Sequence, residues 1–204
     1  MKKKLLLTGF EPFLNYDVNP TQKIVEAING TEVGGFVIEG RVLPVDFKQS
    51  AIDLLGQYKK TAPDAVIMLG LAAGRRQITP ERVAININEG PHDNRGYSPE
   101  NEPIVKDGPA AYFSTLPIHK MVKRLKDAGI PAAISNTAGT YLCNHVMYRM
   151  LHHLESTNSN IPAGFIHIPA SHELALSKPE LPSWPTVHLI EAVKVLIETL
   201  EESS

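Results

Sequence analysis

The chain is poor in cysteine: among its 204 residues Cys143 stands alone. One thiol cannot close an intrachain disulfide and cannot build a cysteine zinc site. Long apolar runs are also missing, and nothing approaches the roughly 18 residues of a membrane span. Neither sign of charge is in excess. Lys+Arg 20 against Asp+Glu 22 leaves a formal −2, so no whole-chain basic field recommends nucleic acid or an anionic membrane as partner. No internal repeat or linker divides the sequence, and residues 1–204 read as one domain, long enough to bury a core without staples. With 43% hydrophobic and 21% charged residues, disordered, collagenous and low-complexity classes are excluded. The start, Met1-Lys2-Lys3-Lys4-Leu5-Leu6-Leu7, imitates a signal peptide, but Thr8-Gly9-Phe10-Glu11 ends the apolar run too early. It reads as a first β-strand of a cytoplasmic protein.

What is present is an alternation of strand and helix signals. Lys3–Thr8, Phe36–Val45 and the fully apolar Ala65–Leu71 read as strands, the last of the kind buried in a parallel sheet. Arg76–Ile87, Ala132–Ser135 and Ala163–Ile168 read as further strands. Asn19-Pro20 is an N-cap followed by a first-turn proline and predicts a helix to Ile28. Asp46 is expected to cap a helix carrying Ala51, Leu54, Leu55 and Tyr58 on one face. Pro117–Ala128, Thr140–Leu154 and Thr186–Leu200 complete the helices, the last with a stripe through Leu189, Val193, Leu196 and Leu200. The alternation predicts an α/β fold, a single-domain α/β/α sandwich with a mostly parallel, mixed central sheet. One stretch breaks the rhythm. Asn88–Tyr112 is rich in Pro and Gly, and reads either as a functional loop or as a surface excursion, with room for a short hairpin around Ile104-Val105.

The segment Ser135-Asn136-Thr137-Ala138-Gly139-Thr140-Tyr141-Leu142-Cys143-Asn144-His145 runs from a strand end through a small-residue turn into a helix. Cys143 falls in the first helical turn, where free N–H groups and the helix dipole favour an anion. A thiol there is expected to have a lowered pKa and to be a nucleophile, with the same N–H groups able to hold an oxyanion. A nucleophilic cysteine needs a base. Of eight histidines, His167 leads, because it closes an apolar strand that follows the cysteine helix directly. His145, two residues from Cys143, does not share its helix face. Glu81 lies in a strand-like segment and is free either to orient His167 or to enter a salt bridge.

Together these segments resemble the type I pyroglutamyl peptidases (pyrrolidone carboxyl peptidases), a family of cysteine peptidases. The resemblance is carried by Thr8-Gly9-Phe10-Glu11-Pro12-Phe13 with Asn19-Pro20, and by Gly70-Leu71-Ala72-Ala73-Gly74-Arg75 running into Glu81-Arg82-Val83-Ala84-Ile85-Asn86. The Cys143 segment, Asp107-Gly108-Pro109 with Ala111–Pro117, and Gly164-Phe165-Ile166-His167-Ile168-Pro169 match too. It implies a Cys143–His167–Glu81 triad that removes N-terminal pyroglutamate from peptides, and a homotetramer; with one cysteine and no His/carboxylate cluster of recognised spacing, no metal or cofactor is expected. It also implies that Phe10 and Phe13 line the pyroglutamyl pocket, with Asn19 and Leu142 nearby. The chain departs from the family pattern at Leu14, where a glycine is frequent, at Leu71, where some relatives carry Gln, and beyond Gly90-Pro91, where the next arginine is Arg95.

Three other readings are weighed against this one. A nucleoside phosphorylase-like enzyme shares the architecture and would need a basic anion site, hinted at by Gly74-Arg75-Arg76. A binding protein that keeps the pocket without turnover would leave Cys143 unreactive. A metallohydrolase built from His145, His152, His153 and Glu155 lacks a recognised ligand spacing.

Overall fold

Short unbroken apolar runs became the inner strands of one sheet, and strict side-chain alternation sends their residues to two opposite cores. The computed structural model describes residues 2–201. In chain order the elements are β1 (Lys3–Phe10), α1 (Pro20–Ile28), β2 (Glu32–Val33), β3 (Phe36–Leu43), α2 (Ser50–Thr61), β4 (Ala65–Leu71), β5 (Thr79–Pro80), β6 (Val83–Ile85), β7 (Ala111–Phe113), α3 (Ile118–Asp127), α4 (Leu142–Ser156), β8 (Ala163–Ile168), β9 (Ala170–Ser171), α5 (His172–Ser177), β10 (Ser183–Trp184) and α6 (Thr186–Glu201). The main sheet has the order β2-β3-β1-β4-β8-β5. Its four inner strands are parallel, and the short edge strands β2 and β5 are antiparallel to their neighbours. Leu5, Leu7, Ile67, Leu69, Ile166 and Ile168 face a core closed by α1, α3 and α6. Leu6, Val66, Met68 and Phe165 face the other, closed by α2 and α4. This is the expected α/β/α sandwich with a mostly parallel, mixed sheet. Among the described residues no helix is long and apolar enough to cross a membrane.

The order reverses between β1 and β4, since the chain leaves β1 toward β3 on one side and returns as β4 on the other. Open α/β sheets bind ligands at the carboxyl ends of their strands beside such a reversal. Here the two strands part. They pair only from Leu5↔Ala65 to Thr8↔Met68, whereas β1 stays with β3 to Phe10↔Leu43 and β4 with β8 to Leu71↔Ile168. The Phe10 N–H, which would continue the ladder, donates instead to Thr21 Oγ1 at 2.9 Å. Thr21 reaches it because α1 begins where the sequence predicts, with Asn19 Oδ1 accepting from the Thr21 N–H and Pro20 in the first turn. A crevice results at the C-terminal edge of the sheet.

Several segments depart from the sequence reading. Arg76–Ile87 is two short strands, not one. Pro80 has no N–H to give a ladder, and at Glu81-Arg82 the chain changes partner, Glu81 N–H donating to Phe165 O and Arg82 N–H to Ser135 O. Ala132–Ser135 is therefore extended backbone held by isolated bridges at Ala132 and Ser135 rather than a strand. No hairpin forms at Ile104-Val105. The Asn86 side chain takes the place of a strand partner, accepting from Val105 N–H and donating to the Val105 and Gly108 carbonyls. Asp46 binds the N–H groups of Lys48 and Gln49 in the turn ahead of α2, and the helix itself starts at Ser50 without a side-chain cap.

Candidate active site

Cys143 is the second residue of α4, whose N-cap Tyr141 contributes no side-chain hydrogen bond to the helix N–H groups. The first N–H groups of the helix therefore stay open for an anion. Asn144, fully buried beside it, fixes the direction of this turn by accepting from Ile85 N–H and donating to the Ile85 and Ile87 carbonyls. The half-buried thiol lies against Gly70 at the end of β4, where a Cβ would sit 2.9 Å from Sγ. Gly70 is the register partner of His167 on β8. Sheet register thus brings the thiol and the imidazole to one strand end.

His167 is buried, and its Nδ1 lies 2.7 Å from Glu81 Oε1. Toward an ionised carboxylate Nδ1 is the donor, which leaves Nε2 with a lone pair. Glu81 is fully buried, and its Oε1 also accepts from Arg75 Nη1 at 2.7 Å. Glu81 thus meets both of the partners between which the sequence left the choice open, the His167 ring and a guanidinium. Burial pushes the Glu81 carboxyl up, but His167, Ser135 and Arg75 outweigh it and hold it below its ordinary value. Although Ser135 acts in that direction, its hydroxyl donates to the Thr137 carbonyl at 3.1 Å, and Glu81 Oε2 has no hydrogen-bond partner.

The expected low thiol pKa is not found in this unliganded site. Burial, then the Glu81 charge, push Cys143 up to about 12 against the opposing Arg75 charge and the Cys143 N–H. Burial also lowers His167, with Glu81 opposing and Arg75 adding to the fall. The resting pair is a neutral thiol and a neutral imidazole, with no hydrogen bond joining them. Such contacts commonly tighten only when substrate binds.

Phe10, Phe13, Asn19, Val45, Leu71, Tyr141, Leu142 and Cys143 line the crevice, about 260 Å³ of open space. Every residue that the resemblance placed in the pocket is there, in different capacities. Phe10 and Phe13 supply aromatic wall. Asn19 is held rather than presented, since Oδ1 accepts from the Thr21 N–H and hydroxyl and Nδ2 donates one of its two protons to Glu11 O. Leu142 is buried in the core beneath. Val45 and Tyr141 carried no signal in the sequence, because loop pairing brings them in, and Leu71, the last residue of β4, stands out there only as a departure from the family pattern. Glu89 N–H bonds Thr140 O, Asn94 N–H bonds Val45 O, and Tyr141 OH bonds His92 O, so the Asn88–Tyr112 excursion braces the rim. Leu71 matters through its backbone. Ala72 N–H bonds Ile168 O, so by alternation Gly70 and Ala72 turn their peptide groups to β8 and Leu71 turns its own to the crevice.

Three of the other histidines are engaged elsewhere. His145 Nδ1 pairs with Asn88 Oδ1, His152 with the Tyr112 hydroxyl and His172 with Ser183. No group of three or more His, Cys, Asp or Glu able to hold a metal ion converges among the described residues. Arg75, the hint of a phosphate site, is engaged by Glu81, which weakens the phosphorylase reading.

The family model described as pyroglutamyl peptidase matches residues 3–203. A pyrrolidone-carboxylate peptidase of Oceanobacillus iheyensis is 55% identical over 199 residues, covering 98% of this chain and 100% of the relative. One from Halalkalibacterium halodurans is 54% identical over 197 residues, with 96% and 98% covered. Among solved structures, a mutant pyrrolidone carboxyl peptidase from Pyrococcus furiosus superposes with a TM-score of 0.95 at 44% identity, covering 98% of this chain and 100% of that one. The pyrrolidone carboxyl peptidase from Thermococcus litoralis gives 0.94 at 39% identity, with 100% and 97% covered. A match along the whole length at this level of identity, on the same fold, shows that the chain belongs to the pyroglutamyl peptidase family.

Proposed function

We propose that this chain hydrolyses the bond after an N-terminal pyroglutamyl residue of peptides, using Cys143 as nucleophile, His167 as base and acid, and Glu81 as the orienter of His167. The observation that carries the reading is the 2.7 Å Glu81–His167 contact at the strand end where Cys143 lies beside an apolar crevice. As Sγ attacks the pyroglutamyl carbonyl carbon, its proton passes to His167 Nε2. The N–H groups opening α4 face the developing oxyanion. His167 then protonates the departing amine, leaving a thioester on Cys143. Water attacks the thioester while His167 takes its proton, and release of pyroglutamate returns the proton to sulfur.

The crevice suits the lactam on physical grounds. The ring is small, flat and uncharged, and Phe10 and Phe13 offer aromatic surface. Its cis amide wants one donor and one acceptor, and the Leu71 peptide groups turned into the crevice are of that kind. A free α-ammonium would be desolvated there without a partner. The deciding experiment compares a pyroglutamyl chromogenic amide with an unblocked alanyl amide. Cleavage of the first alone is expected, and comparable turnover of the second would overturn the reading. Thiol alkylation should abolish activity and a chelator should spare it. The reading keeps the cytoplasmic setting, where a catalytic thiol stays reduced, and the homotetramer that the family resemblance implies.

A further inference from the structure

We propose that Arg75 is a positioning residue for the reaction, locking the Glu81 carboxylate through the oxygen that holds His167 and tying it to the turn that delivers Cys143. The inference rests on the triad reading above. Arg75 leaves the loop after β4 and spends its guanidinium on three partners. Nη1 donates to Glu81 Oε1 at 2.7 Å and to Thr79 Oγ1, and Nη2 donates to the Thr137 carbonyl at 3.2 Å. Thr79 belongs to β5, which is paired with the His167 position of β8. Thr137 belongs to the turn between Ser135 and the start of α4. One planar fork therefore joins the segments carrying the acid, the base and the nucleophile.

The carboxylate shows why a fork is needed. Glu81 Oε1 carries both His167 and Arg75, while buried Oε2 has no hydrogen-bond partner. A buried carboxylate with one idle oxygen is free to turn that oxygen toward the imidazole unless something selects between them. Arg75 makes the selection by binding the oxygen in use, and a planar guanidinium does so with fixed geometry where an ammonium offers a point charge. Its positive charge also opposes protonation of His167. The charged groups acting on His167 are Glu81 and Arg75, so removing Arg75 leaves burial as the one opponent of the imidazolium that Glu81 stabilises.

The test measures kcat and KM for a pyroglutamyl amide across pH in wild type, Arg75→Met and Arg75→Lys, and follows the His167 Nδ1 proton by NMR. Arg75→Met should lose about 10- to 100-fold in kcat with KM within about twofold, and its acidic limb should move to higher pH. Arg75→Lys should return the limb to its wild-type position but stay at least about fivefold low in kcat, and its Nδ1 proton resonance should shift. Loss of rate in Arg75→Met with an unmoved limb would mark a merely structural residue and overturn the proposal. If Arg75→Met does not fold, Arg75→Lys decides, and wild-type kcat with an unshifted resonance refutes it. A wild type inactive on the amide would defeat the triad reading instead, while the resonance in Arg75→Lys still tests whether Arg75 positions the acid and base.

Discussion

At the scale of single residues, the half-buried thiol and the buried imidazole are both shifted toward their neutral forms, and that has kinetic consequences. His167 must be unprotonated to accept the thiol proton, and burial holds its pKa below the ordinary 6.5. The acidic limb of kcat/KM is therefore expected below pH 6.5. A limb above that value would contradict a neutral resting pair. Cys143→Ala should remove the covalent route, and Cys143→Ser should be nearly as poor, because the hydroxyl is a far weaker nucleophile under the same base. His167→Ala should approach that loss. Glu81→Gln should be milder, since an amide still positions the ring but withdraws the charge that stabilises imidazolium. Because the members act as a unit, Cys143→Ala/Glu81→Gln should be no worse than Cys143→Ala. These are read as kcat/KM with folding checked by circular dichroism. A folded Cys143→Ala keeping more than about a tenth of wild-type kcat/KM, a loss under ~1.4 kcal/mol, would remove Cys143 from the mechanism. The helix-start context of Cys143 was legible in the sequence, but its raised pKa was not, because desolvation depends on what packs over the sulfur.

At the scale of elements, the site depends on strands ending at the right place and on what they omit. Gly70 omits a side chain. A Cβ there would lie 2.5 Å from the Phe165 ring and 2.9 Å from Cys143 Sγ, crowding the proposed nucleophile. Gly70→Ala should therefore cut kcat by at least tenfold through displacement of Sγ, since about 1 Å of misplacement costs on the order of a hundredfold. Wild-type kcat in this variant would show that the thiol has slack. The start of α1 was legible from Asn19-Pro20 because an N-cap and a first-turn proline are local signals. The end of the β1·β4 ladder was not, since it depends on Thr21 taking the Phe10 N–H across the crevice. The division of Arg76–Ile87 was partly visible in Pro80. The change of partner at Glu81-Arg82 was not, because local periodicity says nothing about which distant strand supplies a carbonyl. Arg75 was seen as half of a basic pair, and only tertiary packing distinguishes it, engaged by Glu81, from exposed Arg76.

At the scale of the whole molecule, assembly and acid stability are both open to measurement. The homotetramer implied by the family resemblance should appear in light scattering as a mass near four times the 22.4 kDa chain, and a clean monomer at micromolar concentration would refute it. Acid stability follows from histidines that the fold keeps neutral. His145, in the first turn of α4, is buried with its ring edge-on to Phe47 and its Nδ1 on Asn88, and burial, aided by Arg149, lowers its pKa to about 4 from 6.5. His167 is lowered as well. In the unfolded chain these rings take protons near pH 6.5, so between that value and the folded pKa the unfolded state binds more protons. Stability is complete above pH 6.5 and drains away as pH falls toward 4, by about 3 kcal/mol for His145. Glu81 works in the same direction at lower pH, because its lowered carboxyl pKa gives stability that is lost as pH falls through the folded value. The check is urea unfolding at pH 7.5, 6, 5 and 4.5 at fixed protein concentration, since association would otherwise shift the midpoint. Wild type should lose midpoint steadily below pH 6.5. His145→Gln, which cannot take the proton, should lower the midpoint at pH 7.5 and flatten the fall between pH 6 and 4.5. A variant that falls as steeply as wild type would show that the acid sensitivity originates elsewhere, and that His145 is protonated in the fold at little cost.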